Sequence, residues 1–157
     1  MKVRTALAGL AFVVSLGVAA PSLAADQCIG REGPHKVSVA VTGVSPTKGE
    51  VAVTLYPDNA RRFLAPKGKL LRARVKATPR VTEVCFWVPE PAYYAIAIYH
   101  DVNSDHDFNR TIIGMPAEGF GFSNNAPTRV GLPAFESVRF RAGPGTTEVP
   151  ISMRYQR

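Results

Sequence analysis

From residue 37 to residue 99 apolar and polar side chains alternate with a period of two, and the three-to-four spacing of an amphipathic helix is nearly absent. Val37, Val39 and Val41 alternate with Lys36, Ser38 and Thr42, which predicts a strand ending at Gly43. Val51, Val53 and Leu55 follow the turn-forming run Ser45-Pro46-Thr47-Lys48-Gly49, so the first two strands are expected to form a hairpin. Leu71, Ala73, Val75 and Ala77 alternate with Arg72, Arg74 and Lys76, the pattern of a strand with one buried face. Residues 81–88 and 93–99 are apolar on both parities and read as central strands. Alternation returns at residues 136–142 and 147–155, on either side of Gly143-Pro144-Gly145, and the helical signal is limited to a turn near residues 58–64. These seven short strands predict an all-β fold, a seven-stranded Greek-key β-sandwich over residues 26–157, with a small closed barrel as the alternative architecture. The 13 Gly and 13 Pro suit a turn-rich chain, and 46% hydrophobic with 20% charged residues exclude a disordered one.

One segment breaks this rhythm. Residues 101–133 carry no strand pattern, whereas connections in compact domains usually run about 4–6 residues. Phe108, Ile112, Ile113, Met115, Phe120 and Phe122 give the stretch enough apolar mass to pack as an ordered loop, and functional residues concentrate on such loops.

Ahead of the strands, Lys2 and Arg4 precede an apolar run from Leu7 to Ala20, and Ser22-Leu23-Ala24 offers a small-x-small cleavage site. This predicts a signal peptide over residues 1–25 and an exported protein, periplasmic or secreted. The run falls short of the ~20 residues a spanning helix needs, so no transmembrane segment is expected after cleavage. Export changes two other readings. The formal charge of +7 becomes +5, because 17 basic and 12 acidic residues follow residue 25. Cys28 and Cys85 then mature in an oxidising compartment, where an even count predicts a Cys28–Cys85 disulfide tying the mature N-terminus to a central strand. His35, His100 and His106 form no zinc pattern.

Within the long loop, Asp101, Asn103, Asp105, Asp107 and Asn109 place an oxygen-bearing side chain at every second residue, the order in which a calcium loop curls around a hard cation. Glu118 is the later acid able to complete the set, and calcium as a structural ion is the one cofactor this pattern suggests. The departures are that His106 stands at the turn glycine and Ile112 at the bidentate glutamate. The competing reading is an Asx-rich turn whose side chains bond their own backbone. Further on, Gly119-Phe120-Gly121-Phe122-Ser123-Asn124-Asn125 combines glycines that permit positive φ or close backbone approach with two phenylalanines on one side of an extended segment. It reads either as a plug sealing the sandwich end or as a binding surface, with Phe120, Phe122, Ser123, Asn124 and Asn125 contacting a glycan or peptide.

His100-Asp101-Val102-Asn103, Asp107-Phe108-Asn109 and residues 114–125, with their Gly-Phe-Gly-Phe-Ser-Asn-Asn core, resemble the signature of the bacterial exported family catalogued as domain of unknown function 2141. Residues 49–56, Tyr94-Ala95-Ile96-Ala97-Ile98 and Pro133-Ala134-Phe135-Glu136 are similar too, so the resemblance spans residues 37–155. Where that family reads Asn-Gly-Asn-Gly, this chain has Asn103-Ser104-Asp105-His106. The resemblance implies export and an immunoglobulin-like or transthyretin-like sandwich, related to carboxypeptidase-regulatory-like domains. It implies no particular activity.

An enzyme is not expected. His100, Asp101 and Ser123 supply the residue types of a nucleophilic triad, but Ser123 lacks a Gly-x-Ser-x-Gly elbow, and His100 and Asp101 are strand neighbours pointing to opposite faces. A hydrolase drawing on the loop carboxylates Asp101, Asp105, Asp107 and Glu118 is a second alternative. Positive charge is concentrated, since residues 61–80 hold eight basic side chains and no acid. Arg72, Arg74 and Lys76 share one strand face, which is either a solvated, edge-protecting surface or a contact for an anionic envelope component. Nucleic acid is not expected as a partner, for export removes the protein from it and no recognition motif is present. The sequence thus points to a non-enzymatic binding or accessory module stabilised by calcium through residues 101–109, with cell-envelope interaction through residues 61–80 as the alternative.

Overall fold

The computed structural model describes residues 28–128 and 131–156, so the signal peptide read at residues 1–25 lies outside the described residues. The strands are β1 (His35–Thr42), β2 (Glu50–Pro57), β3 (Leu71–Lys76), β4 (Val81–Trp87), β5 (Tyr93–Asp101), β6 (Phe120–Phe122), β7 (Phe140–Arg141) and β8 (Gly145–Ser152). A 3-10 turn, Ser123–Asn125, follows β6, and one short helix, α1 (Phe135–Val138), precedes β7. Three strands form one sheet in the order β4-β1-β8, and five form the other in the order β3-β2-β5-β6 with β7 also on β5. Both sheets are open, which removes the barrel alternative. Among the described residues no helix is long and apolar enough to cross a membrane.

The core follows from the alternation. Val37, Val39 and Val41 of β1 lie opposite Phe86, Val84 and Thr82 of antiparallel β4, and opposite Thr147, Val149 and Ile151 of parallel β8. In the five-stranded sheet, Val53 pairs with Ala73 and Ile98, and Leu55 with Leu71 and Ile96. These side chains form one cluster shared by both sheets, in which Val37, Val39, Val41, Val51, Val53, Leu55, Phe86 and Ile96 are all 0% exposed. Each such aliphatic side chain contributes roughly 1.5–3 kcal/mol by leaving water.

A second apolar cluster lies on the other face of the five-stranded sheet, where Tyr56, Ala95, Phe120, Phe122, Ala126 and Val138 are buried beneath Phe63, Leu64, Phe108 and Phe135. This sheet is therefore covered on both faces, which explains why β2 and β5 are buried at nearly every position. The double-parity pattern of residues 93–99 marks a central strand, as expected. Residues 81–88 differ, because β4 is one of the two edge strands of the three-stranded sheet. Its outward parity is occupied by Cys85, disulfide-bonded to Cys28, and by Trp87, with Lys36 6.0 Å from the ring. The expected disulfide is present, then, but on an edge strand. Ile29 adds a short stretch of parallel pairing to that edge, its N–H donating to the Cys85 carbonyl at 2.9 Å and its carbonyl accepting from Trp87 N–H at 2.9 Å.

Three further expectations change. β1 and β2 make no hairpin, since they belong to different sheets and their valines meet across the core. Alternation specifies which face is buried and is silent on whether the partner lies beside the strand or opposite it. Residues 136–142 are not a strand throughout, because α1 takes residues 135–138 and β7 keeps Phe140 and Arg141. The long loop contains a strand of its own, β6, hydrogen-bonded to β5 with Ala97 opposite Phe122 and Tyr99 opposite Phe120.

Candidate functional site

The motif core at residues 119–125 is built into the five-stranded sheet. Phe120 and Phe122 turn toward the outer cluster and Gly121 toward the core, where a Cβ would sit 2.8 Å from the Ser152 carbonyl oxygen and 3.2 Å from both Ile151 and Ile98. At Gly119 a Cβ would meet the Tyr155 ring at 2.4 Å. Close approach, rather than positive φ, is thus what both glycines provide. Ser123 is fully buried, its Oγ accepting from Ile96 N–H at 2.9 Å while the hydroxyl donates to the Val138 carbonyl. Asn124 donates to the carbonyls of Ser137 at 3.1 Å and Arg139 at 2.7 Å, and Asn125 Oδ1 accepts from Ser152 N–H at 2.8 Å. Both asparagines adopt left-handed backbone, with φ of 59° and 48°. The polar atoms of this motif therefore hold β5, β8 and α1 together, and its phenylalanines pack into the apolar cluster on the outer face of the five-stranded sheet.

The acid loop is organised by two buried carboxylates. Asp101, 0% exposed, accepts from the backbone N–H groups of Asp105 at 3.1 Å and His106 at 2.9 Å. Glu118, 6% exposed, accepts from Val102 N–H at 3.1 Å and Asn109 N–H at 3.0 Å. The exposed Asp105 gathers Asn103 Nδ2 at 2.7 Å, Asn109 Nδ2 at 3.0 Å and Asp107 N–H at 2.9 Å. Those three donors hold its carboxyl below the usual aspartate pKa, the Asp107 backbone bond being the largest cause. Arg74 reaches into the loop from β3. Its Nη1 lies 2.9 Å from Asp101 Oδ2, and its Nη2 donates to Tyr99 Oη at 2.6 Å and the His106 carbonyl at 2.8 Å. Three potential metal-ligand side chains come within 4.8 Å of one another here, Glu50, Asp101 and His106, and they share Asp101 with the expected calcium set.

The remaining triad types are likewise engaged. His100 is fully buried, with Nδ1 2.7 Å from Tyr155 Oη and Nε2 2.7 Å from the Lys48 carbonyl oxygen. The Lys48 carbonyl can only accept, so Nε2–H donates to it and in the neutral ring Nδ1 accepts from Tyr155 Oη, which itself accepts from Ser45 N–H at 2.9 Å. This chain fastens residues 45–48 and the C-terminal segment to β5. His100, Asp101 and Ser123 thus have three separate sets of partners.

The basic face of β3 also divides. Arg74 is spent on the acid loop, Lys76 is exposed, and Arg72 donates through Nε to Thr54 Oγ1 at 2.8 Å. Arg72 there borders a cleft of about 600 Å³ on the outer face of the five-stranded sheet. Its floor is Thr54 and Tyr56 of β2, Ala97 and Tyr99 of β5, and Phe120 and Phe122 of β6. One wall is the turn 110–116, closed by Thr111 N–H to the Met115 carbonyl at 2.7 Å, and Leu64 and Leu132 complete the rim. The aromatic rings are continuous. Tyr99 meets Phe108 edge-on at 5.6 Å, Phe108 meets Phe120 at 6.1 Å, Phe120 meets Phe122 at 6.1 Å, and Phe63 links Phe122 at 6.0 Å to Tyr56 at 5.3 Å. Centroid spacings of about 4.5–7 Å are those of favourable aromatic pairs. Arg110 stacks over Phe108 at 5.2 Å and donates to the Gly114 carbonyl at 3.0 Å.

Of the residues expected to bind a ligand, Phe120 and Phe122 line this cleft, as does Arg72 from the basic set. Sequence reasoning missed Thr54, Tyr56, Tyr99, Phe108 and Arg110. The available signal was the outward parity of β2, where Ala52, Thr54 and Tyr56 carry no charge. No curated protein and no solved structure matches the chain. The model of one family, described as an uncharacterized protein conserved in bacteria (DUF2141), matches residues 39–150, and the chain belongs to that family.

Proposed function

We propose that this protein is an exported, non-enzymatic binding module, a Greek-key sandwich of transthyretin-like type that holds a ligand in the cleft on the outer face of its five-stranded sheet. The observation that carries this reading is the cleft itself, about 600 Å³ of mostly apolar surface over a floor of paired strands, within the size range of small-molecule sites. Support for the non-enzymatic part comes from His100, Asp101 and Ser123, whose polar atoms are used within the fold. Support for export comes from the Cys28–Cys85 disulfide. Calcium has no necessary part in this reading, because the Arg74 guanidinium already supplies positive charge to Asp101.

A neutral, solvent-sensitive naphthalene ketone dye tests the site. It is expected to bind saturably with a blue-shifted emission, and Ala97→Trp, filling the floor, is expected to abolish binding. Leu132→Glu at the 67% exposed rim is expected to weaken it without altering the melting temperature. Unchanged binding by both variants would remove the cleft as the site.

A further inference from the structure

The cleft has a chemical bias beyond its apolar floor. Among the described residues the charged side chains that line it are Arg72 and Arg110, and no acid is present in its wall. Among the described residues, too, neither arginine has a carboxylate within ion-pair distance, although Arg74 and Arg139 each do. Both guanidiniums are nonetheless held in place, Arg72 through Thr54 Oγ1 at 2.8 Å and Arg110 through the Gly114 carbonyl at 3.0 Å and the Phe108 ring. Arg72 also flanks the Tyr56 phenol, whose pKa burial raises above its usual value, so this hydroxyl stays protonated at neutral pH.

The mouth adds a second feature. Ile112 and Ile113 stand at the tip of the 110–116 turn with exposures of 107% and 85%, and Met115 and Leu132 beside the cleft are 47% and 67% exposed. Scattered exposed apolar side chains such as Ile112 and Ile113 are ordinary on a protein surface, whereas Met115 and Leu132, which line the cleft, extend its binding surface. An apolar trough with an aromatic floor, an apolar rim and anchored guanidiniums without counter-charges complements one kind of molecule.

Resting on the reading of the cleft as a binding site, we infer that its ligand is an amphiphile with an acidic headgroup, a carboxylate, sulfate or phosphate carried on an apolar chain or ring system. The apolar part lies over Tyr99, Phe120 and Phe122, and the headgroup is held by Arg72 and Arg110. Guanidinium suits this task because its planar fork matches the oxygens of such anions and remains charged at all working pH values.

Four probes with one dodecyl chain separate the possibilities: dodecanoate, dodecyl phosphate, dodecanol and dodecyltrimethylammonium, each titrated below its micelle concentration. The two anions are expected to bind about tenfold or more tighter than dodecanol, as one charge-assisted contact implies, and the cation more weakly still. Arg72→Met with Arg110→Met retains the apolar stems and is expected to bring the anions down to the affinity of dodecanol. Binding of the neutral naphthalene dye should survive in that double variant, which reports an intact cleft. The anion preference should also fall as salt is raised. Equal affinity for dodecanoate and dodecanol, or an anion preference that persists in the double variant, would overturn the inference while leaving the cleft reading intact. Loss of dye binding in wild-type protein would overturn the cleft reading itself. To identify the source of the headgroup, vesicles containing phosphatidylglycerol are compared with dodecyl phosphate. Competition by both places the ligand among membrane amphiphiles, and competition by the monomer alone places it among dispersed organic acids. The first outcome adds to the inference a role for Ile112 and Ile113 at the lipid surface, and the second confines it to the cleft.

Discussion

At the scale of single residues, the acid loop depends on where its charges are neutralised. Asp101 is 0% exposed and Arg74 is its partner at 2.9 Å, so removing the guanidinium leaves a buried carboxylate uncompensated. Arg74→Met is expected to cost about 3 kcal/mol in urea unfolding, the lower part of the range for breaking a buried pair. Because Arg74 already supplies a positive charge to Asp101, millimolar calcium is expected to leave the wild-type melting temperature unchanged. A rise that disappears in Asp101→Asn would instead support the ion-binding reading. Asp105 gives a pH dependence with a definite sign. Its folded pKa is lowered by three donors, chiefly the Asp107 N–H, so its stabilising effect is fully present above the unfolded value of about 3.9 and is lost as pH falls through the folded one. The stability difference between wild type and Asp105→Asn should therefore shrink toward acid pH, measured by denaturant titration at several pH values. Alternating Asp and Asn were legible in the sequence as a loop rich in turns. That the countercharge was an arginine from a strand 27 residues away was not, since spacing along one segment carries no record of what folds against it.

At the scale of elements, the decisive residues are those that let strands approach. Gly121 sits on β6 with the Ser152 carbonyl 2.8 Å from where a Cβ would be, so Gly121→Ala is expected to destabilise by about 1–3 kcal/mol through overpacking. Thermal unfolding followed by circular dichroism would measure it. The Cys28–Cys85 bridge closes a 57-residue separation onto the outer strand β4, and its loss is expected to lower stability by about 4 kcal/mol. Reduction should additionally raise hydrogen exchange at Ile29 and Trp87, whose pairing guards that edge. Strand existence was legible from alternating apolar side chains in β1, β3 and β8, but at residues 136–142 the same alternation falls partly on α1. The length-three strand β6 was not, because Phe-Gly-Phe offers too few positions for a period to emerge. Partner choice was illegible for a different reason. Val37 to Val41 and Val51 to Leu55 have the same pattern whether they share a sheet or face each other across a core.

For the whole molecule, the asymmetry of the two sheets matters most. The three-stranded sheet contributes one face to the shared core, whereas the five-stranded sheet is covered on both faces and keeps a partly open aromatic trough on its outer one. Charge is partly drawn into the structure, for three of the eight basic residues at 61–80 are placed by it, Arg74 tied to Asp101, Arg62 bonded to the Gly68 carbonyl, and Arg72 at the cleft. The all-β class and the ordered packing of residues 101–125 could be read from the chain. The cleft could not, because its floor is assembled from alternate residues of three strands and its wall from a turn without periodicity. A nitrogen-15 chemical-shift titration with the neutral naphthalene dye tests that assembly most directly. The account predicts shifts concentrated at Thr54, Ala97, Tyr99, Phe120 and Phe122 and nearly absent from β1, β4 and β8, whereas shifts centred on the three-stranded sheet, or none at saturating dye, would contradict it.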